Sequence, residues 1–527
     1  MGKLAERIIS NRITKEIDMT DYQAGGRKNS STSDHLTIIS NIIQNNRKSR
    51  KPTYICFMDV TKAYDKAWLD GIMHVMGKCG IRGTEWKLTK ELSNNLKASV
   101  QTNHGPTEEF EINDSIKQGG VLSVTQYAIL IDEIAKEIKE MNIGCQQGEL
   151  GDKIGSLLYM DDVALIADNT RDLEKMLEAT NRVARRYRIK FGEEKSKVMI
   201  IGRKSTETFK MGELEIGQTD KYRYLGYTLN NKYNNKDHIP NLKGKTEMAY
   251  QTIQAITGSK NFRSMHMKST WKLLKATIIP IITYAGEATT HTKAEMEQMN
   301  KILDNIIKRI LQVPKSTPRE ALYIECGLLD IETTINRNKL LMYNRIHRCG
   351  TELAKGIISQ GTKWMDNLTK IMERYNVDKT SLENRNKMKA KAIINKAVRD
   401  QFIKEIKNSG LRKSKVRHLL IHGGSAAKKG INTYIANLPR AEASTIFKLR
   451  TRMIDVKANY RNKYMDETCR HCHEEPETQE HILTMCRALH ENDDTKIPYN
   501  NIQTVSTTLL KEIAIKAGKT ILKHLKQ

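Results

Sequence analysis

The chain of 527 residues carries 88 Lys and Arg against 61 Asp and Glu, a formal net charge of +27, and is 39% hydrophobic and 28% charged. This is the composition of a soluble globular protein with room for roughly three or four domains and a preference for polyanions. It excludes a membrane-spanning chain, because the longest apolar stretch, Ala276 to Ala285, is broken by Pro280 and too short for a bilayer. Met1-Gly-Lys-Leu-Ala-Glu-Arg has no apolar core for a secretory leader, and Glu6 spoils a myristoylation pattern.

Residues 1–50 read as helix, turn, helix. Residues 51–240 alternate strands with helices. Thr53 to Met58 is a β-branched and apolar run, a buried strand that ends in Asp59. That aspartate either caps a helix starting near Thr61 or offers a carboxylate to a metal. Gln118, Gly119 and Gly120 form a flexible turn, and glycine there permits close backbone approach to a ligand. Val124, Tyr127, Ile131, Ile134 and Ile138 follow at helical spacing. Tyr159-Met160-Asp161-Asp162 sits between the apolar runs Ile154–Leu158 and Val163–Ala167, which reads as strand, turn, strand. Two adjacent carboxylates on a hairpin tip repel one another unless a cation lies between them. Their hard oxygens suit Mg²⁺. Facing Asp59, they would make a two-metal clamp, with ions about 3.5–4 Å apart, for an in-line phosphoryl displacement.

Residues 241–345 are helix-rich, with Ile302, Ile306, Ile307 and Ile310 at helical spacing. From Thr351 to Arg450 the chain holds 22 basic and 8 acidic residues, a net of +14. The densest part runs through Lys387, Lys389, Lys391, Lys396, Arg399, Lys404, Lys407 and Arg412 to Arg417. Such clusters give salt-sensitive, sequence-tolerant binding to phosphates. Cys469-x2-Cys472-x8-His481-x4-Cys486 has the donor set of a closed structural zinc site, with His471, His473 and His490 as competing nitrogens. Cys56, Cys79, Cys145, Cys326 and Cys349 are scattered singly, which suits a reducing compartment rather than a disulfide framework. Val505 to Leu525 reads as a final amphipathic helix capped near Ser506.

Several of these segments, in order, carry a family resemblance. Phe57-Met58-Asp59-Val60-Thr61-Lys62-Ala63-Tyr64-Asp65 and Tyr159-Met160-Asp161-Asp162 resemble the two metal-binding motifs of reverse transcriptases, in the form found in non-LTR (LINE-type) retrotransposons. Gln23-Ala24-Gly25-Gly26-Arg27 resembles a fingers motif of that family. Lys117 to Ser123 is similar to its Gln-Gly-x-x-Leu-Ser loop, and Lys195 to Met199 to its lysine segment. Tyr222 to Gly226 is similar to its primer-grip turn, and Leu311 to Pro318 with Cys326 to Leu328 to its thumb. The family also carries a zinc finger after the thumb.

The resemblance implies an α+β fold: a right-hand polymerase palm with partial fingers, a helical thumb, a basic helical region and a small C-terminal zinc finger. The divisions are fingers 1–50, palm 51–240, thumb 241–345, basic nucleic-acid-binding helices 346–455, CCHC zinc finger 456–495 and C-terminal helix 496–527. It implies an RNA-directed DNA polymerase that adds deoxynucleotides to a primer 3′-hydroxyl on an RNA template, with a DNA primer or target. Asp59 and Asp161 would be the main ligands of two Mg²⁺, with Asp162 beside them and the Val60 carbonyl contributing. Lys195 would neighbour the leaving pyrophosphate. Tyr64 would lie beneath the incoming sugar and exclude a 2′-hydroxyl, with Gln118 and Gly119 lining the nucleotide site. Arg27 would touch a phosphate or face solvent. Tyr224, Leu225 and Gly226 would form the primer grip, and Cys469, Cys472, His481 and Cys486 would hold one Zn²⁺.

Two stretches depart from the pattern. Gly26 stands where phenylalanine is usual, and Val124-Thr125-Gln126-Tyr127 replaces proline and a Leu-Leu-Phe stretch. The family's upstream Arg-Pro-Ile segment and its endonuclease find no match. The expectation is an N-terminally truncated enzyme whose endonuclease is supplied elsewhere, acting in the nucleus. The alternative is a catalytically inactive truncated remnant that binds RNA or DNA. A group II intron-type maturase shares the palm but lacks this zinc spacing and thumb pattern.

Overall fold

The computed structural model describes residues 2–94, 96–112, 115–146, 153–256, 267–359, 361–422, 430–460, 464–490 and 507–526. Helices Gly2–Glu16 and Thr32–Lys48 come first. A six-stranded sheet follows, built from β1 (Thr53–Asp59), β2 (Ser156–Tyr159), β3 (Asp162–Ala167), β4 (Lys197–Ile201), β5 (Phe209–Met211) and β6 (Leu214–Gln218). The strand order is β2-β3-β1-β4-β6-β5, and only the β4–β6 pair is parallel. Every residue of β1 from Thr53 to Met58 is buried. Both faces of that central strand are covered, so the run is continuously apolar or β-branched instead of alternating. Helices Val121–Glu140 and Thr170–Arg186 pack on the sheet and on each other. A separate hairpin, β7 (Lys221–Tyr224) and β8 (Tyr227–Asn230), follows the sheet.

No helix starts at Thr61. Residues 61–66 form consecutive turns, and the next helix begins at Leu69. Lys62 is left-handed at φ 51°. The segment's backbone is committed elsewhere: Thr61 N–H donates to the Lys190 carbonyl (2.8 Å), and the Tyr64 carbonyl accepts from Ile116 (3.0 Å). One i→i−4 bond does close, Lys66 N–H to the Lys62 carbonyl (3.0 Å), but with its neighbours paired sideways it makes a turn and not a helix. Asp59 therefore ends a strand without capping a helix.

From His238 onward the described residues are mostly helical. They divide between two hydrophobic cores. One joins the N-terminal helices and the sheet to residues 340–398; the other joins residues 239–335 to 402–517. Two long helices run through both. Ile331–Cys349 contributes Ile331 and Ile335 to the second core and Leu340, Tyr343 and Ile346 to the first. Lys387–Leu411 buries Ala390, Ile394, Val398, Phe402, Ile406 and Gly410, one residue every four, and splits them between the cores after Val398. That single ridge leaves Lys387, Lys389, Lys391, Lys396, Lys404 and Lys407 exposed. The last helix spans Thr507–Lys526, and the expected cap at Ser506 lies outside the described residues.

Charge is buried where the second core closes. Glu325, 1% exposed, accepts from Arg450 Nε (3.0 Å) and Nη2 (3.1 Å), from Asn432 Nδ2 (3.0 Å) and from the Tyr434 hydroxyl (2.5 Å). Removing one member of a buried pair strands the other's charge. Arg450→Leu should lower unfolding free energy in urea by about 3–5 kcal/mol, and adding Glu325→Leu should restore part of it.

Candidate active site

Asp59 is the last residue of β1 and lies directly opposite Asp162, the first residue of β3. Cross-strand partners in an antiparallel pair have Cα atoms about 4.5–5.5 Å apart and side chains on one face. The β2–β3 hairpin closes at Tyr159 opposite Asp162, so its loop is only Met160 and Asp161. Asp161 is exposed at the tip, Asp162 is half-buried, and Met160 is left-handed at φ 59°. The fold thus gathers the three carboxylates at adjoining strand ends. Asp162 is pushed up to about 6, first by burial and then by the charges of Asp161 and Asp59. The one cation paired with them among the described residues is Lys195, whose Nζ stands 3.5 Å from Asp59 Oδ2 with its side chain 73% exposed.

The hairpin is splinted from outside by a loop of the N-terminal region. Leu158 N–H donates to the Tyr22 carbonyl (2.8 Å), and the Leu158 carbonyl accepts from Ala24 N–H (2.9 Å). Between them Gln23, fully buried, uses Oε1 to accept from Gly25 N–H (2.7 Å) and Met160 N–H (3.3 Å). Gly25 sits so close that a Cβ there would lie 2.4 Å from Met160 N. A Cβ on Gly26 would lie 2.6 Å from Val124 Cγ1. The two departures from the motif pattern are therefore in contact: the bare backbone at 26 leaves room for valine at 124. Arg27, given a phosphate as one option, is turned to Asp21 (3.1 Å) and to the Thr20 carbonyl (2.9 Å).

The opposite flank is built by β4 and its approach. Asp59 N–H donates to the hydroxyl of buried Ser196 (3.3 Å), and its carbonyl accepts from Gly192 N–H (2.9 Å). Val60 bridges to Phe191. Phe57, on the same face of β1 as Asp59, stacks on Tyr222 with ring centroids 4.3 Å apart. Burial, then Asp162 and Asp59, push the Tyr222 phenol up to about 12, so the β7–β8 hairpin stands over the carboxylates. Its turn, Leu225-Gly226, has positive φ at both residues (45° and 80°), and the Leu225 carbonyl accepts from the Tyr284 hydroxyl. Tyr64 is half-buried, stacked on Tyr127, with its phenol pushed up by burial and by Asp161. Gln118 Nε2 donates to Asp65 Oδ1 (2.7 Å), and Gly119 is left-handed with nothing within 4 Å of its Cβ position. Gln23 and Ser196 fall inside the motif segments but without a task of their own there, and Tyr284 carries no periodicity or charge that separates it from ordinary core residues.

Compared with known families, residues 1–229 match the reverse transcriptase (RNA-dependent DNA polymerase) domain, which spans the whole carboxylate site. Those residues form a reverse transcriptase domain, and the relatives it resembles come from non-LTR elements. A Pol polyprotein of the type-1 retrotransposable element R2 from Popillia japonica is 22% identical over 66% of this chain and 49% of its own length. An RNA-directed DNA polymerase from the mobile element jockey of Drosophila melanogaster is 21% identical over 77% of this chain and 42% of its own. The chain thus spans about half or less of the curated relatives it matches. Among solved structures, telomerase from Candida tropicalis with a fragment of telomeric RNA aligns with 75% of this chain and 56% of itself, at 13% identity and a TM-score of 0.35. No helix among the described residues is long and apolar enough to cross a membrane.

A second cluster lies near the C-terminus. The donor atoms of Cys469, Cys472, His481 and Cys486 all lie within 4.8 Å of one another. Cys469 and Cys486 Sγ are 3.9 Å apart, close to the edge of about 3.8 Å expected for a tetrahedron with Zn–S bonds near 2.3 Å. Burial and then the Cys469 charge push the Cys486 thiol up to about 12, a repulsion that a bound dication would reverse. His490 Nε2 faces the Ile482 carbonyl (2.9 Å), and His471 Nε2 faces His524 Nδ1 (2.6 Å), so these two competing nitrogens point elsewhere. Glu477, fully buried, organises the knuckle by accepting from Arg470 N, Nε and Nη2 and from Lys457 N.

Because the folded chain holds the Asp162 proton more tightly than the unfolded chain, metal-free stability should fall as pH rises from about 4 to 6. Asp162→Asn should therefore add on the order of 1 kcal/mol in EDTA at pH 7.5, after allowance for solvent screening, with the gain vanishing near pH 4 in urea titrations. At the C-terminal cluster, a strong chelator should release zinc and expose the amides of residues 464–490 to hydrogen exchange, and Cys472→Ser should do the same without chelator.

Proposed function

We propose that this chain is an RNA-directed DNA polymerase of a non-LTR retrotransposon, extending a DNA primer on an RNA template with deoxynucleoside triphosphates. The pairing of Asp59 with Asp162, with Asp161 at the adjoining tip, carries this reading. The donor set is hard oxygen, burial and then the neighbouring carboxylates raise Asp162, and Lys195 stands beside Asp59 alone, all of which fit Mg²⁺. Two such ions, when bound, activate the primer hydroxyl and neutralise charge on the transferred phosphate. Asp59 and Asp161 hold them, with Asp162 and the Val60 carbonyl in support. Lys195, on a long exposed stem beside Asp59, moves to the departing pyrophosphate. Tyr64 excludes a ribose 2′-hydroxyl, and Gln118 and Gly119 border the base and sugar. The turn Tyr224-Leu225-Gly226 seats the primer end. Arg27 acts through the loop it braces, because its guanidinium is already engaged.

In the same reading, residues 1–50 serve as fingers, 51–240 as palm and 241–345 as thumb. The lysines of Lys387–Leu411 grip nucleic-acid phosphates within the basic region 346–455. Residues 456–495 serve as a zinc finger and 496–527 as the C-terminal segment that carries the helix Thr507–Lys526, and the protein works in the nucleus. Purified chain with primed RNA, deoxynucleotides and Mg²⁺ should make cDNA. Asp161→Asn should lower extension by roughly 10³-fold or more, while affinity for the primed RNA stays intact and weakens steeply with added salt. Extension that survives the substitution would remove the site.

A further inference from the structure

Tyr127 stands where the motif pattern has a Leu-Leu-Phe stretch, and the site description gives it no task. It lies on the helix Val121–Glu140 with 1% of its surface exposed. Its ring is 5.4 Å from that of Tyr64, with planes 20° apart, a nearly parallel offset stack. Its hydroxyl is buried with no hydrogen-bond partner among the described residues, so the phenol oxygen does nothing for the packing. Tyr64 lies in the turn that leaves β1 just after Asp59, and both phenols are pushed up by burial first and then by the charge of Asp161.

Tyr64 sits in the turn at residues 61–66, where no helix limits its rotamers. One of its faces is covered by Tyr127, and its side chain is otherwise half-exposed. A ring excludes an extra hydroxyl only if it cannot swing aside. Helix Val121–Glu140 is a rigid mount: Gln126 Nε2 donates to the buried Ser93 hydroxyl (2.9 Å), and the Val121 N–H donates to Glu6 (2.7 Å). We propose that Tyr127 is a positioning residue that backs the Tyr64 ring and thereby sets discrimination between deoxy- and ribonucleotides. This rests on the reading of Tyr64 as the sugar gate.

The test measures the ratio of kcat/KM for a deoxynucleotide to that for the matching ribonucleotide on primed RNA, and the two equilibrium affinities on a 3′-blocked primer. Tyr64→Ala should lose discrimination. Tyr127→Leu should lose about 2- to 10-fold, the span an aromatic stack converts to, through a lower ribonucleotide KM and with deoxynucleotide kcat nearly unchanged. Tyr127→Phe should keep the parent ratio, because the stack survives. Tyr127→Met fills similar volume without a flat face and decides the question if the leucine variant does not fold. A folded leucine or methionine variant with the parent ratio, beside a Tyr64→Ala that has lost it, overturns the role of Tyr127 alone. A Tyr64→Ala with the parent ratio overturns the gate, and the backing role with it.

Discussion

The antiparallel register of β1 on β3 is the constraint on which the site depends. It sets Asp59 against Asp162 and leaves a loop of only Met160 and Asp161 beyond them. A slip of one residue would turn one of these side chains to the other face of the sheet. The rest of the site holds that register. β4 pairs with the other edge of β1, Ser196 takes the Asp59 amide, and the Tyr22–Gly25 loop clasps the outer edge of the hairpin. Three carboxylates so placed repel one another, and the protein tolerates the repulsion with a raised Asp162 and one exposed lysine. The fold thus leaves negative charge in excess at these strand ends, which is the ground of the metal-binding proposal.

The grouping of the three carboxylates and of the Cys and His donors was legible in the sequence because each segment is local. A strand ending in Asp59, a short hairpin ending in two aspartates and a Cys-x2-Cys knuckle each announce themselves in a few residues. Tyr64 was legible as a residue of the site only through resemblance. Its backbone was less so: helical spacing pointed to a helix near Thr61, whereas pairing to Lys190 and Ile116, distant in sequence, holds a turn there. Gln23 illustrates the same limit. Its segment was legible as a motif, but nothing local says that its amide accepts two N–H groups, one from a hairpin more than a hundred residues away. The ridge Ala390 to Gly410 was hidden by the lysines around it, because one apolar residue every four is too narrow a stripe to stand out from a solvated face.

The departures at positions 26 and 124 show how a motif changes without losing its place. Each read alone is a missing family residue. Together they are one packing exchange, with valine filling space that a side chain at 26 would otherwise claim. Tyr127, one helical turn on from Val124, then carries the aromatic surface against Tyr64. The altered stretch keeps a flat wall beside the carboxylates by different means.

The two helices that thread both hydrophobic cores have a mechanical consequence. A rod anchored in two bodies transmits torque between them, and two such rods resist both twist and shear. Neither body can rotate as an independent lobe without bending a helix or tearing its ridge from one core. Heating should therefore melt both together.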